Sequence, residues 1–289
     1  MKQLTHVTVI YNPNSTGNGY ANAKQLKKEL PSDTYSVHLV ATKYAGHAEE
    51  IARNITQKNS PHIIISSSGD GGYNEVINGV LSQAQHDHII TGVLPSGNAN
   101  DHYHALENND DVAKAIKKRS FTTIDVLELI TQDLQRYAHS YIGFGVTAQI
   151  GKKLTEATLN PFNEIWIVFK NLFTVRPVKI RWQGRTTRYD NLLFSNVGTM
   201  SKVLKISQDA SLYDGKFEIT TQKTRSIGTL FAHLLHASTL GLNGTKKRSQ
   251  VTFTVRRSAA AQLDGEVVRI PAKTDVTIRI FKQALRCIG

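Results

Sequence analysis

The chain has 289 residues, 40% of them hydrophobic and 20% charged, and a formal net charge of +12. This suits a soluble globular protein of two domains, and the single cysteine, Cys287, excludes an internal disulfide or zinc-type spacing, as a reducing compartment allows. The positive charge calls for anionic partners: nucleic acid, an anionic membrane surface or phosphorylated substrates.

The opening MKQLTHVTVIYNP enters a β-type run at once, without the parts of a secretion signal, so a cytoplasmic setting is expected. From there strands and helices alternate. HVTVIYN, YSVHLVAT, HIIISSS and IITGVLPS read as strands, and GYANAKQLKKEL, GHAEEIARNIT, NEVINGVLSQA and DVAKAIKKR as helices. This βα order implies a parallel sheet with helices on both faces, in a first α/β domain over residues 1–122. Residues 123–277 then read as a second, mainly antiparallel domain, through TTIDVLELI, RYAHSYIGFGV, VKIRWQG, RYDNLLFSNVG, GKFEITTQ, QVTFTVRR, AQLDGEVVRI and DVTIRIF. Residues of about 278–289 pack back on the first domain. Two helices interrupt the strands, PFNEIWIVFKNLF and RSIGTLFAHLLHASTLG; they read as core. The apolar stretches around 165–173 and 227–242 contain Lys170, Asn171, His233 and His236 and fall short of the ~20 residues that span a bilayer.

Basic residues are dispersed in small groups, Lys117-Lys118-Arg119, Lys152-Lys153, Lys246-Lys247-Arg248 and Arg256-Arg257. No DNA-binding motif accompanies them, so nucleic acid is disfavoured. His86, His88, His102 and His104 sit in sequence typical of surface loop and helix rather than a metal site.

The chemistry concentrates in loops that follow strands. The segment at Gly145–Lys153 lacks the spacing and hydroxyl of a P-loop, and GNGYAN lacks the third glycine of a dinucleotide fingerprint. Gly69-Asp70-Gly71-Gly72 is more informative: glycines let backbone approach a phosphate, and a helix starts directly after them. A bare Asp70 would repel phosphate, so it makes sense beside Mg²⁺ or as an acceptor of a hydroxyl proton; alone, it is equally a helix N-cap. VIYNPNSTGNG and GVLPSGNANDHYHAL are two further loops of this kind, and in a parallel sheet such loops face one crevice.

Together these segments resemble the diacylglycerol kinase catalytic family, which includes bacterial lipid kinases and the sphingosine and ceramide kinases. Its patterns N-P-x-[SA]-G, G-G-D-G-T-x-N-E-x-x-N-G and L-P-x-G-T-x-N-D correspond to Asn12–Gly17, Ser68–Gly79 and Leu94–Asp101; DASLYDGKFEI and Asp264-Gly265-Glu266 match later segments. The resemblance implies a Rossmann-like N-terminal domain and a mainly antiparallel β-rich one, with ATP in the cleft between them and Mg²⁺ as cofactor. It implies ATP binding by Asn12, Pro13, Asn14, Ser15, Thr16, Thr42, Gly69, Asp70, Gly71, Gly72, Asn74, Glu75, Ser96, Gly97 and Asn98. Asp264 and Glu266 are implied as candidates to deprotonate a lipid hydroxyl, with Asp70 as rival. A metal is implied at Asp214 and the backbone carbonyls of Ser211 and Lys216, although Tyr213 replaces the family's first aspartate there.

Two more departures are Gly72 and Asn98, where the family has threonine, and Gly72→Thr is expected to restore a phosphate-binding hydroxyl. The activity implied is an ATP-dependent lipid kinase working at an anionic membrane surface. Its alternatives are a nucleotide- or lipid-binding protein without kinase activity, and NAD kinase, which shares the G-G-D-G loop; a homodimer stays open.

Overall fold

The computed structural model describes residues 5–15, 17–97, 100–106, 111–149, 176–200, 204–207, 209–223 and 246–289. The chain divides into two compact units, Met1–Asp125 with Lys282–Gly289, and Val126–Phe281.

The first unit runs β1 (Thr5–Tyr11), α1 (Gly19–Glu29), β2 (Tyr35–Ala41), α2 (His47–Thr56), β3 (His62–Ser68), α3 (Asp70–Leu81), β4 (Ile89–Pro95), α4 (Asp101–Ala105) and α5 (Val112–Lys118). Strand β5 (Phe121–Ile130) leaves it. The sheet order is β4-β3-β1-β2, all parallel, and the returning C-terminal segment sets Cys287 opposite Thr91. Burial on both faces explains why the central strand β3 carries the continuous apolar run Ile63–Ile65, whereas the edge strand β2 is only partly buried. Val7, Val9, Ile63 and Ile65 pack with Ala23, Leu26 and Leu30 of α1 and Val112, Ala115 and Ile116 of α5. The alternate residues meet α2 and α3, which lie so close that a Cβ on Gly79 would stand 2.3 Å from the Glu49 carbonyl oxygen. Because α1 leaves β1 on one face and α3 leaves its neighbour β3 on the other, the strand order reverses between them. That is where a parallel sheet opens a crevice at its strand C-termini.

The second unit contains β6 (Gln135–Ala138), β7 (Tyr141–Gly145), β8 (Val178–Trp182), β9 (Arg185–Ser195), β10 (Thr199–Met200) and β11 (Leu204–Lys205). It continues through β12 (Phe217–Lys223), β13 (Lys246–Arg248), β14 (Gln250–Val255), β15 (Ala259–Leu263), β16 (Glu266–Ile270) and β17 (Thr274–Ile288). The order β16-β15-β7-β9-β8-β14-β17 is antiparallel throughout, and β12 pairs with both β9 and β13. Its mainly aliphatic core holds a phenylalanine cluster, with Phe194 stacked on Phe253 and edge-on to Phe144 and Phe217. RYAHSYIGFGV, expected as one strand, is two, because His139 and Ser140 turn between β6 and β7. The helices expected around Trp166 and Leu234 lie outside the described residues. Among the described residues, no helix is long and apolar enough to cross a membrane.

Candidate active site

The loops after β1, β3 and β4 meet within the first unit, and small residues make the meeting possible. A Cβ on Gly17 would stand 2.4 Å from the Ser96 carbonyl oxygen, and one on Gly97 would stand 2.4 Å from the Gly69 Cα. Neither position accepts a side chain without moving backbone, so the glycines are required by close approach rather than by turn geometry alone. Polar side chains tie the loops together. Asn22 donates to the Ser96 hydroxyl (2.8 Å) and the Gly17 carbonyl (3.3 Å), Ser67 donates to the Gly19 carbonyl (2.7 Å), and the Ser96 amide donates to the Ser68 carbonyl (3.0 Å). Asn100 Oδ1 accepts the Gly97 amide at 3.1 Å. Asn22, Ser67 and Asn100 were not among the expected site residues. An amide or hydroxyl two to four residues from a glycine loop was the available signal.

Within the first loop, Asn12 Oδ1 accepts the Asn14 amide at 2.9 Å and Ser15 Oγ accepts the Gly19 amide at 3.2 Å, at the start of α1. Pro13 and Asn14 are exposed. Thr42 follows β2, and its amide donates to the Tyr11 carbonyl (2.9 Å). Thr16 and Asn98 lie outside the described residues.

At the third strand, Gly69 is the N-cap of α3 and Asp70 to Gly72 form its first turn, so N–H groups and the positive end of the helix dipole face the loops. Half-buried Asp70 accepts the His102 amide at 3.4 Å, and the His102 ring lies tilted against Tyr73, with centroids 4.8 Å apart. Asn74 is buried, and its Oδ1 accepts from Asn78. Glu75 is committed to structure: its carboxylate accepts the Gly46 (2.8 Å) and Ala48 (3.1 Å) amides, capping the N-terminus of α2.

Gly72 corrects one expectation. A Cβ there would meet Ser68 Oγ at 2.4 Å and Ser68 Cβ at 2.7 Å, so Ser68 already fills the space that a threonine side chain at this position would enter. The Ser68 hydroxyl is held by Ser66 Oγ (2.7 Å) and the Gly69 carbonyl (3.0 Å). Ser68 stands where the family pattern has glycine, so the hydroxyl absent at residue 72 is matched by one four residues earlier.

In the second unit, Asp264 and Gly265 both take positive φ (49° and 104°) in the tight turn between β15 and β16, as a type I′ hairpin requires. The Asp264 carboxylate is fully buried and accepts the amides of His139 (2.6 Å), Ser140 (3.0 Å) and Tyr141 (2.9 Å), with His139 Nε2 at 3.3 Å. Those bonds interrupt the strand at residues 139–140. Glu266 opens β16 and is exposed.

Asp214 lies in the turn before β12, among Ser211, Tyr213 and Gly215. Its Oδ1 accepts the Lys216 amide at 3.0 Å and its Oδ2 receives the Lys247 ammonium at 2.8 Å. The same ammonium donates to the Asp209 carbonyl at 2.5 Å and lies 3.4 Å from Glu218 Oε1. Burial pushes the Glu218 carboxyl above its ordinary range, while the hydrogen bond to Asp214 pushes the Lys247 ammonium up. The arrangement does not fit the implied Mg²⁺, which needs about six oxygens near 2.1 Å, because both Asp214 oxygens are engaged and a fixed positive charge touches one of them.

Residues 6–129 match the family model of the diacylglycerol kinase catalytic domain. The chain is 26% identical over 253 residues to a diacylglycerol kinase of Staphylococcus aureus, covering 82% of this chain and 75% of the relative. It is 24% identical over 284 residues to that of Bacillus subtilis, covering 91% and 90%. The crystal structure of a diacylglycerol kinase from Bacillus anthracis superposes with a TM-score of 0.71 at 18% identity, covering 100% of this chain and 98% of that one, which establishes the two-domain α/β fold. Over residues 6–129 this chain is therefore similar to the diacylglycerol kinase catalytic domain family.

Proposed function

We propose that this chain is a lipid kinase that transfers the γ-phosphate of ATP, carried with Mg²⁺, to the hydroxyl of diacylglycerol or a related lipid. The observation that carries this reading is the convergence of three glycine loops at the strand C-termini, at separations no side chain fits, inside the span that matches the family. Backbone amides at the start of α3 and around Ser96 and Gly97 bind the phosphates, where they need no reorganisation as charge develops. Asp70 holds the cation that accompanies the nucleotide.

In the transfer, the lipid oxygen bonds to the γ-phosphorus as the bond to the bridging oxygen of ADP breaks, and the hydroxyl proton passes to a carboxylate. Glu266 is our choice for that carboxylate, since Asp264 is engaged by three buried amides. The net charge of +12 would hold the protein on anionic lipid, each well-placed Lys or Arg contributing ~1 kcal/mol.

The test is incubation with labelled ATP and vesicles containing diacylglycerols, monoacylglycerols or sphingoid bases, with NAD in parallel. Label in a lipid supports the proposal. A protein that binds ATP yet labels none of them refutes it in favour of a binding protein, and label in NAD refutes it in favour of an NAD kinase.

A further inference from the structure

The cluster at Asp214 is a complete cation site whose cation belongs to the chain. Lys247 on β13 pairs in register with Glu218 on β12, which aims its side chain at the turn holding Asp209 and Asp214. An ammonium has three N–H donors. Here it meets three acceptors: Asp214 Oδ2 at 2.8 Å, the Asp209 carbonyl at 2.5 Å and Glu218 Oε1 at 3.4 Å. The Glu218 side chain is 1% exposed, and its Oε2 has no hydrogen-bond partner among the described residues, so Lys247 is the positive charge that balances it. Asp214 completes the turn through the Lys216 amide, with Gly215 at φ 68°.

We propose that the Lys247 ammonium is a tethered replacement for a divalent cation at this turn, so that the second unit organises residues 209–218 without metal. A covalent cation has two consequences. It is present at any metal concentration, and it excludes Mg²⁺ by charge repulsion while it is bound. It also explains Tyr213, which is exposed where the family pattern has an acid: the site is already balanced and a further carboxylate would be surplus. The proposal concerns folding of the second unit and does not depend on the kinase reading.

The experiment is thermal unfolding of the full chain without nucleotide, in chelator, in millimolar Mg²⁺ and in KCl of matched ionic strength. Wild type is expected to show one Tm in all three. Lys247→Met leaves a buried carboxylate and Asp214 without their counter-charge, and should lower Tm by roughly 5 °C or more in chelator. Mg²⁺ should recover part of that loss in Lys247→Met, and no such recovery should remain in Lys247→Met/Asp214→Asn. A wild-type Tm that rises in Mg²⁺ but not in KCl, with the rise abolished by Asp214→Asn, would overturn the proposal. Where Lys247→Met alone does not fold, Lys247→Met/Glu218→Gln removes the ammonium together with the buried carboxylate and should fold with a Tm indifferent to Mg²⁺; failure of that variant as well, beside a Mg²⁺-responsive wild type, also overturns it.

Discussion

The steric relation between Ser68 and Gly72 makes a quantitative prediction. Gly72→Thr places a Cβ 2.4 Å from Ser68 Oγ and 2.7 Å from Ser68 Cβ, well inside van der Waals contact. Ser68 is 7% exposed and hydrogen-bonded on two sides, so it has little room to turn away. Overpacking of this kind costs about 1–3 kcal/mol. Threonine recovers about 0.3–0.5 kcal/mol over glycine in helix propensity. The net loss is about 0.5–2.7 kcal/mol, or a Tm lower by roughly 1–10 °C at about 2–4 °C per kcal/mol. Ser68→Gly removes both colliding atoms, so Ser68→Gly/Gly72→Thr should be more stable than Gly72→Thr, with a coupling of at least ~1 kcal/mol. Urea unfolding of the four proteins measures this cycle, and ATP affinity measured alongside should fall in Gly72→Thr and return in the double variant. Gly72→Thr as stable as wild type, or a double variant no better than the single one, refutes the reasoning.

Two further predictions follow from the carboxylates and from His62. Asp264→Ala strips the acceptor from three amides and should destabilise the chain by at least about 3 kcal/mol in urea titration, whereas Glu266→Gln should leave the midpoint within experimental scatter while removing lipid phosphorylation. Burial first, then the positive charges of His6, Lys58, His38 and His88, lowers the His62 pKa from 6.5 to about 4. Its neutral ring is therefore favoured by folding, the stability it confers is full above pH 6.5, and it is lost as pH falls from 6.5 toward 4. Discounted for solvent screening, the loss is about 1–2 kcal/mol, and His62→Gln should flatten the stability profile across that window.

The parallel half of the fold was legible because its central strands β1 and β3 are largely buried and α1, α2 and α3 each start from a glycine or asparagine, so period and punctuation agree. Helix α4 was not, since it spans five residues and starts from Asn100 in the left-handed region. The split of RYAHSYIGFGV into β6 and β7 was illegible for another reason: its cause, Asp264, lies more than 120 residues away. The same holds for Glu75, read from the motif as a nucleotide ligand, whose amide partners at Gly46 and Ala48 become neighbours only when α2 packs on α3. Ser68 and Gly72 are four residues apart, and a serine in place of the motif's first glycine was the sign that the space beside residue 72 is already filled. Lys247 read as one of several dispersed basic groups, because nothing local distinguishes a lysine that faces solvent from one whose β-register sets it against Glu218.

The partners of the acidic side chains limit what each can do. A carboxylate that accepts two or three backbone amides is held by them in one orientation, and turning it toward a substrate costs those bonds. Glu75 and Asp264 are in that position, and Asp214 is matched by an ammonium. Glu266 differs by exposure at the head of β16. Asp70 differs by electrostatics: it sits in the first turn of α3, where the helix dipole stabilises its charge, beside loop amides suited to an anion. An anionic side chain and an anionic ligand cannot share that helix end without a cation between them. On the proposed reading Asp70 couples a bound phosphate to metal: Asp70→Asn should relieve the repulsion, letting the loops bind ATP in chelator while removing the contribution of Mg²⁺ to that affinity.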